Sequence, residues 1–191
     1  MMKRFDLKEI LELTCRLYVF FFLFIYGIGK VIGAQFYTPD VIPPEIEIMP
    51  IGLVPDFELA WVFMGRSYGY MLFIGLSEII GALLLLFNKT KLIGTLILIP
   101  IMVNVIVFDI FFLDEYGALA GATLYFLMLL AMLVIHKEKM IAVSRELISH
   151  KVPMKTSFKE NSLKFIIVLV LIGLIFIGDQ LIVNLLGYGK G

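Results

Sequence analysis

Ionisable residues lie inside long apolar stretches of this sequence, where an unpaired charge is costly. Four of them are Arg16, Lys30, Glu78 and Asp109. On insertion scales a charge at the bilayer centre costs roughly 2.5–3.5 kcal/mol, so such residues pair, face a bundle interior or mark a functional site. Grouped in an apolar pocket, they could exchange protons or bind the polar part of a small molecule. Three further polar residues share these stretches: Tyr26, Asn104 and Asp179.

Helical spacing predicts how these charges pair. Arg16 and Lys30 are 14 positions apart, which places them within about 40° of one helix face and about 21 Å apart along it. Tyr26 falls on the same face, one turn before Lys30. From their depth in the stretches we predict two ion pairs, Arg16–Glu78 and Lys30–Asp109. The alternatives are pairs that only fix helix register and, for Lys30 and Asp109, side chains that reach an interface.

Glu78 is the acid that most needs an explanation. It lies at the centre of its apolar stretch, and its side chain is too short to reach an interface. A carboxyl group in that position is either paired or protonated. Glu78 is therefore the strongest functional candidate, with a purely structural role as the alternative. Asp179 has no basic residue left to pair with, and it reaches an interface only if its helix tilts or the bilayer thins.

Several common chemistries lack their residues in this sequence. Both histidines, His136 and His150, fall outside the apolar stretches, so no buried pair can hold a haem. Cys15 is the single cysteine, which excludes an intramolecular disulfide and a cysteine-based zinc site. There is no phosphate-binding glycine loop and no nucleophile elbow. We predict no metal site and no cofactor held by this chain alone, which disfavours a self-contained redox enzyme, an ATPase and a hydrolase. Catalytic residues are unknown.

The composition predicts a membrane protein. Of the 191 residues, 61% are hydrophobic and 17% are charged, and the mean hydropathy is +1.00. Soluble domains average about 45–50% apolar and about 25% charged residues. The formal net charge is zero, which argues against nucleic-acid binding because that needs a basic surface. The expected partner is therefore the lipid bilayer.

Five apolar stretches are long enough to cross a bilayer as helices, which takes about 20 residues each. The first is too long and too charged for a cleaved secretory signal. The predicted spans are Ile10–Ala34, Tyr68–Phe87, Leu92–Leu113, Gly117–Ile135 and Leu163–Leu186. The predicted fold is all-α, a four-helix transmembrane bundle plus a fifth C-terminal helix. Its parts are a membrane core (1–136), a basic cytoplasmic segment (137–162) and the fifth helix with an outer tail (163–191).

Charge in the connections predicts the orientation. Of the 16 basic residues, 12 fall in the N-terminal segment, in the second connection, or between His136 and Lys164. Basic connections stay in the cytoplasm. The prediction is a multi-pass protein of the bacterial cytoplasmic (inner) membrane, with its N-terminus inside and its C-terminus outside.

Two connections carry further patterns. The outer one, Gln35–Ser67, contains five prolines, and Asp56 after Pro55 could cap a short helix through Phe63. This helix is either an interfacial anchor or a lid over a pocket. Residues 137–151 combine an apolar helical stripe with basic residues, which predicts either a helix on the inner leaflet or a solvated link.

The sequence resembles the DoxX-like family of small bacterial membrane proteins over about residues 10–135. The resemblance is carried by Arg16, by Gly29–Lys30 and by Leu59–Trp61 with Gly65. It is densest from Gly75 to Gly81, which includes a Glu-x-x-Gly pattern at Glu78. It continues through Leu83–Leu86, Thr90, Gly94 and Met102–Asn104. The fifth helix and the long basic segment depart from the family pattern.

The resemblance implies a four-helix bundle in the cytoplasmic membrane, with functions that differ among members. One is similar to a membrane subunit associated with thiosulfate:quinone oxidoreduction, others are linked to redox-stress complexes, and distant relatives bind sterols or amines through buried carboxylates.

Three hypotheses follow from these patterns. The first is a membrane subunit of a redox or quinone-linked complex, in which a quinone and a redox partner protein meet a pocket lined by buried charges. The second is a scaffold or assembly factor, whose charges only fix helix register. The third is a binding protein or isomerase for a small lipid-like ligand. The candidate pocket or pair residues are Glu78, Arg16, Lys30, Asp109, Asn104 and Tyr26.

Overall fold

The computed structural model describes residues 6–113, 116–149 and 158–186. Within these residues the chain is helical, with eight α-helices and a short 3-10 helix at Ile51–Leu53. The α-helices are α1 (Leu7–Val31), α2 (Pro44–Glu47), α3 (Asp56–Gly65), α4 (Tyr68–Leu86), α5 (Lys91–Phe112), α6 (Tyr116–Ile135), α7 (Lys137–Ile148) and α8 (Phe158–Leu186).

Five of the described helices are long and apolar enough to cross a membrane: α1, α4, α5, α6 and residues Asn161–Val183 of α8. The prediction of an all-α chain is confirmed, and each of the five predicted spans corresponds to one of these candidate helices. The first span begins three residues earlier than predicted because Asp6 caps it, accepting a hydrogen bond from the Lys8 amide at 3.0 Å. It ends before Gly33, whose φ of 73° breaks the helix.

Several sequence predictions fall on segments that the structure does not describe. They concern the basic N-terminal residues Lys3 and Arg4, the acidic pair Asp114 and Glu115, the second half of the basic segment from residue 150 to 157, and the outer tail Gly187–Gly191.

The chain divides into two compact units, Met1–Ser144 and Arg145–Gly191. In the first unit four spans form a ring in which α1 packs on α4 and α6, and α5 packs on the same two helices. The buried core of the ring is mainly apolar, although Glu78 and Thr95 are also fully buried in it. Its fully buried side chains include Val19, Leu23, Leu85, Leu98, Leu129 and Met132.

Helices α1 and α4 approach closely at two glycines. A Cβ atom added to Gly75 would lie 2.7 Å from the Gly27 carbonyl oxygen, and one added to Gly27 would lie 2.8 Å from the Gly75 oxygen. Small residues allow such contact between membrane helices. The Cβ atom added to Gly75 would also lie 3.0 Å from the Cβ of Lys30. This contact sets the register of the two helices that carry the charged residues.

The outer connection contains the predicted helix, with a different cap. Helix α3 begins at Asp56, its N-cap residue is Pro55, and no side chain caps it. The prediction of an Asp56 cap is therefore wrong: Asp56 is the first helical residue, where its negative charge still favours the positive end of the helix dipole.

In the second unit α8 runs for 29 residues and continues past Asp179 to Leu186. Within it the Gln180 side-chain amide donates to the Asp179 carboxylate at 3.4 Å. Helix α7, from Lys137 to Ile148, occupies the segment for which a helix and a solvated link were both open.

Candidate functional site

Lys30 and Glu78 form a buried ion pair between α1 and α4. The Lys30 ammonium donates to both carboxylate oxygens of Glu78, at 2.9 and 2.7 Å. Their side chains are 8% and 1% exposed. The loss of either partner is costly, because the remaining charge would be buried with neither water nor an opposite charge beside it. Glu78 is therefore a paired carboxylate, one of the two states that its position in the sequence allowed.

The pairs predicted from the sequence are both wrong. Glu78 pairs with Lys30, and Arg16 lies at the C-terminal end of α4. There the Arg16 guanidinium donates to the backbone oxygens of Leu85 and Leu86, each at 2.7 Å, and to the Asn88 side-chain oxygen at 2.8 Å. Carbonyls in the last turn of a helix have no intrahelical donor, and Arg16 supplies one. Its role is to fasten α1 to the end of α4.

A second charged cluster surrounds Glu12, one helical turn before Arg16. The Glu12 carboxylate lies 3.6 Å from the Arg16 guanidinium and accepts hydrogen bonds from Lys91 and, at 2.9 Å, from the His136 ring nitrogen. These residues join α1 to the start of α5 and the end of α6. Glu12 could not be singled out from the sequence because it lies near a helix end, where a charge needs no special explanation.

Asp109 lies near Lys30 but has no direct partner. In the described residues no ion pair within 4.0 Å and no hydrogen bond reaches its carboxylate, although the residue is only 5% exposed. The Lys30 ammonium uses Glu78 instead. The buried Asp109 carboxylate therefore faces an open space and not a hydrogen-bond donor.

That space is a cavity of about 260 Å³ bounded by α1, α3, α4, α5 and α6. It adjoins a smaller chamber of about 80 Å³ that shares Lys30, Glu78, Asp109 and Trp61 as wall residues. The larger chamber is further lined by Tyr26 and Tyr125, and the smaller one by Asn104. Five of the six sequence candidates therefore come together here; Arg16 does not.

Small residues of α6 leave room for the cavity. Gly117, Ala118, Gly121 and Ala122 line it, and a Cβ atom added at Gly117 would meet nothing within 4 Å. Gly117 and Gly121 are spaced as helix-packing residues often are, yet they form part of the cavity wall. Part of the wall is aromatic, since Tyr26 and Tyr125 also line the cavity, and the Tyr125 ring stacks on Phe22 with centroids 5.5 Å apart.

The outer connection covers this cavity through α3. Trp61 lines both chambers, stacks on Phe57 at 4.2 Å and meets the edge of Phe36 at 5.4 Å. The segment is also packed at its backbone, because a Cβ atom on Gly65 would fall 2.0 Å from the Tyr37 oxygen. Burial, together with the nearby negative charge of Glu58, raises the pKa of the Tyr37 phenol. These contacts favour the lid over the surface anchor.

No group of three or more metal-ligating side chains occurs among the described residues. The site is instead an ion pair, a free carboxylate and aromatic rings around a small cavity. An apolar pocket with a few convergent polar groups is the usual form of a small-molecule site.

These features define the class: a multi-pass helical membrane protein with a charged cavity between its spans. Over 139 residues the chain is 34% identical to the uncharacterized protein YwoB of Bacillus subtilis (strain 168), a stretch that covers 73% of this chain and 85% of that protein. The chain belongs to the family of YwoB. No protein-family model and no solved structure matches it.

Proposed function

We propose that this chain is a membrane subunit that binds the head group of a quinone-type ligand in the cavity and serves a membrane redox complex. The observation that carries the proposal is the cavity wall itself, where the Lys30–Glu78 pair and Asp109 face the same space as Trp61 and Tyr125. A redox partner protein would hold the electron carrier. Membership of the DoxX-like family, a place in the bacterial cytoplasmic membrane and a cytoplasmic N-terminus are parts of the same proposal.

The residues fit such a head group by shape and by polarity. Aromatic side chains offer flat surfaces for ring stacking, and Trp61 and Tyr125 lie on the cavity wall. The Lys30 ammonium has three N–H donors, and two of them are taken by Glu78. The third can reach a ligand oxygen. The volume of about 260 Å³ lies at the small end of ligand pockets, so only the head group would enter. A quinone would supply the capacity for electron transfer that these side chains lack.

Trp61 makes the proposal directly testable. It is the single tryptophan of the chain and it lines the cavity, so its fluorescence reports occupancy. The purified protein in detergent is titrated with 2,3-dimethyl-1,4-naphthoquinone, and saturable quenching is expected. Ala122→Leu fills the cavity from α6 and should abolish it. Ala120→Leu, the same change at an exposed position of the same helix, should leave it intact.

A parallel experiment tests the link to a complex. The protein is extracted in mild detergent, and the proteins and quinones that accompany it are identified by mass spectrometry. In membranes, Glu78→Gln should lower the rate of quinone reduction. A preparation without quinone, together with an unchanged rate in Glu78→Gln membranes, would contradict the proposal.

The scaffold hypothesis is the second candidate, and one observation favours it. Lys30 and Glu78 neutralise each other's charge across the α1–α4 contact, which fixes register without any ligand. A scaffold predicts that Glu78→Gln lowers stability while the gene still complements a deletion. The third candidate, a binding protein or isomerase for another lipid-like molecule, uses the same cavity and would show itself as a non-quinone ligand in the mass spectrum.

A further inference from the structure

The carboxylate of Asp109 is the one acidic group on the cavity wall that the described residues leave without a donor. A buried carboxylate without a hydrogen bond is costly. Nothing in the packing forces it there, because α5 could carry an apolar residue at this position as it does at Met102 and Val105, which line the same wall. The arrangement leaves the missing donor to come from a ligand.

We infer that Asp109 recognises a hydroxyl donor of the ligand, so that the cavity binds a hydroquinone more tightly than the corresponding quinone. The inference rests on the proposed function and deepens it. A quinone ring carries two carbonyl oxygens that only accept, whereas the reduced ring carries two hydroxyl groups that can donate. Lys30 lies on the same cavity wall, and its positive charge favours the ionised form of Asp109. An ionised carboxylate only accepts. It therefore complements the reduced ring and repels the lone pairs of the oxidised one.

Lys30 and Asp109 divide the recognition between them. The free N–H of Lys30 can donate to an oxygen of either form, so it contributes to binding without distinguishing them. Discrimination then depends on Asp109. A hydrogen bond to a charged group is stronger than a neutral one, and an unpaired buried acceptor costs enough to change affinity by about tenfold or more.

The test compares two redox states of one ring. Trp61 fluorescence is titrated anaerobically at neutral pH with 2,3-dimethyl-1,4-naphthoquinone and with its hydroquinone, and the dissociation constants are compared. We expect the hydroquinone to bind at least about tenfold more tightly. Asp109→Asn, which adds N–H donors at the same place, should remove or invert the preference. Asp109→Glu, which retains a carboxylate acceptor, should keep the direction of the preference.

The controls separate the outcomes. Asp179→Asn removes a carboxylate from another span, α8, and should leave the preference unchanged. Equal binding of the two forms by the wild-type protein would overturn this inference and leave the proposed function standing. Tighter binding of 1-naphthylmethylamine than of the hydroquinone would also overturn it, since the carboxylate would then select a cation. Binding of neither ring would overturn the inference and the proposed function together.

Discussion

Lys30 of α1 lies beside Glu78 of α4, and both oxygens of the Glu78 carboxylate accept hydrogen bonds from the one ammonium, at 2.9 and 2.7 Å. Lys30 lies one residue before Val31, the last residue of α1, yet its side chain is directed into the bundle. Two opposite charges thus cancel at the wall of a cavity. The cancellation explains how α4 can carry a glutamate at its centre.

The pair makes a prediction about stability. Glu78→Gln leaves the buried Lys30 ammonium facing an amide, and we expect the free energy of unfolding to fall by about 3–5 kcal/mol. Replacing both residues, as Lys30→Met with Glu78→Leu, should restore most of that stability because no uncompensated charge remains. Unfolding in detergent, followed by loss of helical circular dichroism, measures both. Wild-type stability in Glu78→Gln would contradict the buried pair.

The glycine crossing of α1 and α4 makes a second prediction. Gly75→Ala would place a Cβ atom 2.7 Å from the Gly27 carbonyl oxygen, which is backbone and cannot rotate away. We expect a loss of about 1–3 kcal/mol from overpacking. Gly29→Ala is the matched control, because its Cβ atom meets nothing within 4 Å and alanine favours a helix by roughly 0.5–1 kcal/mol. Equal stability of the two variants would show that the helices do not cross at Gly75.

Arg16 makes a third prediction, since it serves three acceptors at the end of α4. Lysine keeps the charge but cannot present the planar fork of donors. Arg16→Lys should therefore cost about 2 kcal/mol through acceptors that lose their donors. The same change at the exposed Arg66 should be silent in the same unfolding measurement. A silent Arg16→Lys would mean that water already satisfies those carbonyls.

The orientation predicted from charge is a fourth test. Alkaline phosphatase, which is active only outside the cytoplasm, is fused after Gly191, and a fluorescent protein that folds only inside is fused in its place. With the N-terminus inside and five spans, the phosphatase fusion should be active and the fluorescent fusion dark. The reverse pattern would contradict the combination of a cytoplasmic N-terminus with five crossings.

Hydropathy alone was sufficient to predict the five long apolar helices, because a bilayer demands about 20 apolar residues per span. It also identified Lys30, Glu78 and Asp109 as candidate site residues, because they are charged residues within apolar stretches. The partners were not predictable, since a helical wheel gives the face of a residue and not the register of its neighbour. That register depends on the contact of Gly27 with Gly75, which puts Lys30 within one turn of Glu78 rather than opposite Asp109.

The cavity was less visible in the sequence than the charges around it. Its space comes from small residues on α6 such as Gly121 and Ala122, and small residues in a membrane helix usually indicate close packing. Trp61 belongs to a connection whose path over the bundle depends on tertiary contacts with Phe36 and Phe57. Only the folded structure shows that these small residues line a cavity and do not pack against another helix.

The joining of Lys30 to Glu78 also bears on how the chain enters the bilayer during synthesis. Either residue alone opposes the insertion of its helix by roughly 2.5–3.5 kcal/mol. Helix α1 leaves the ribosome before α4, so its lysine has no counter-charge in the membrane until the second span is made. The two helices then partition most favourably together, as a hairpin whose charges are already neutralised. We therefore expect α1 and α4 to enter the bilayer as one unit during synthesis.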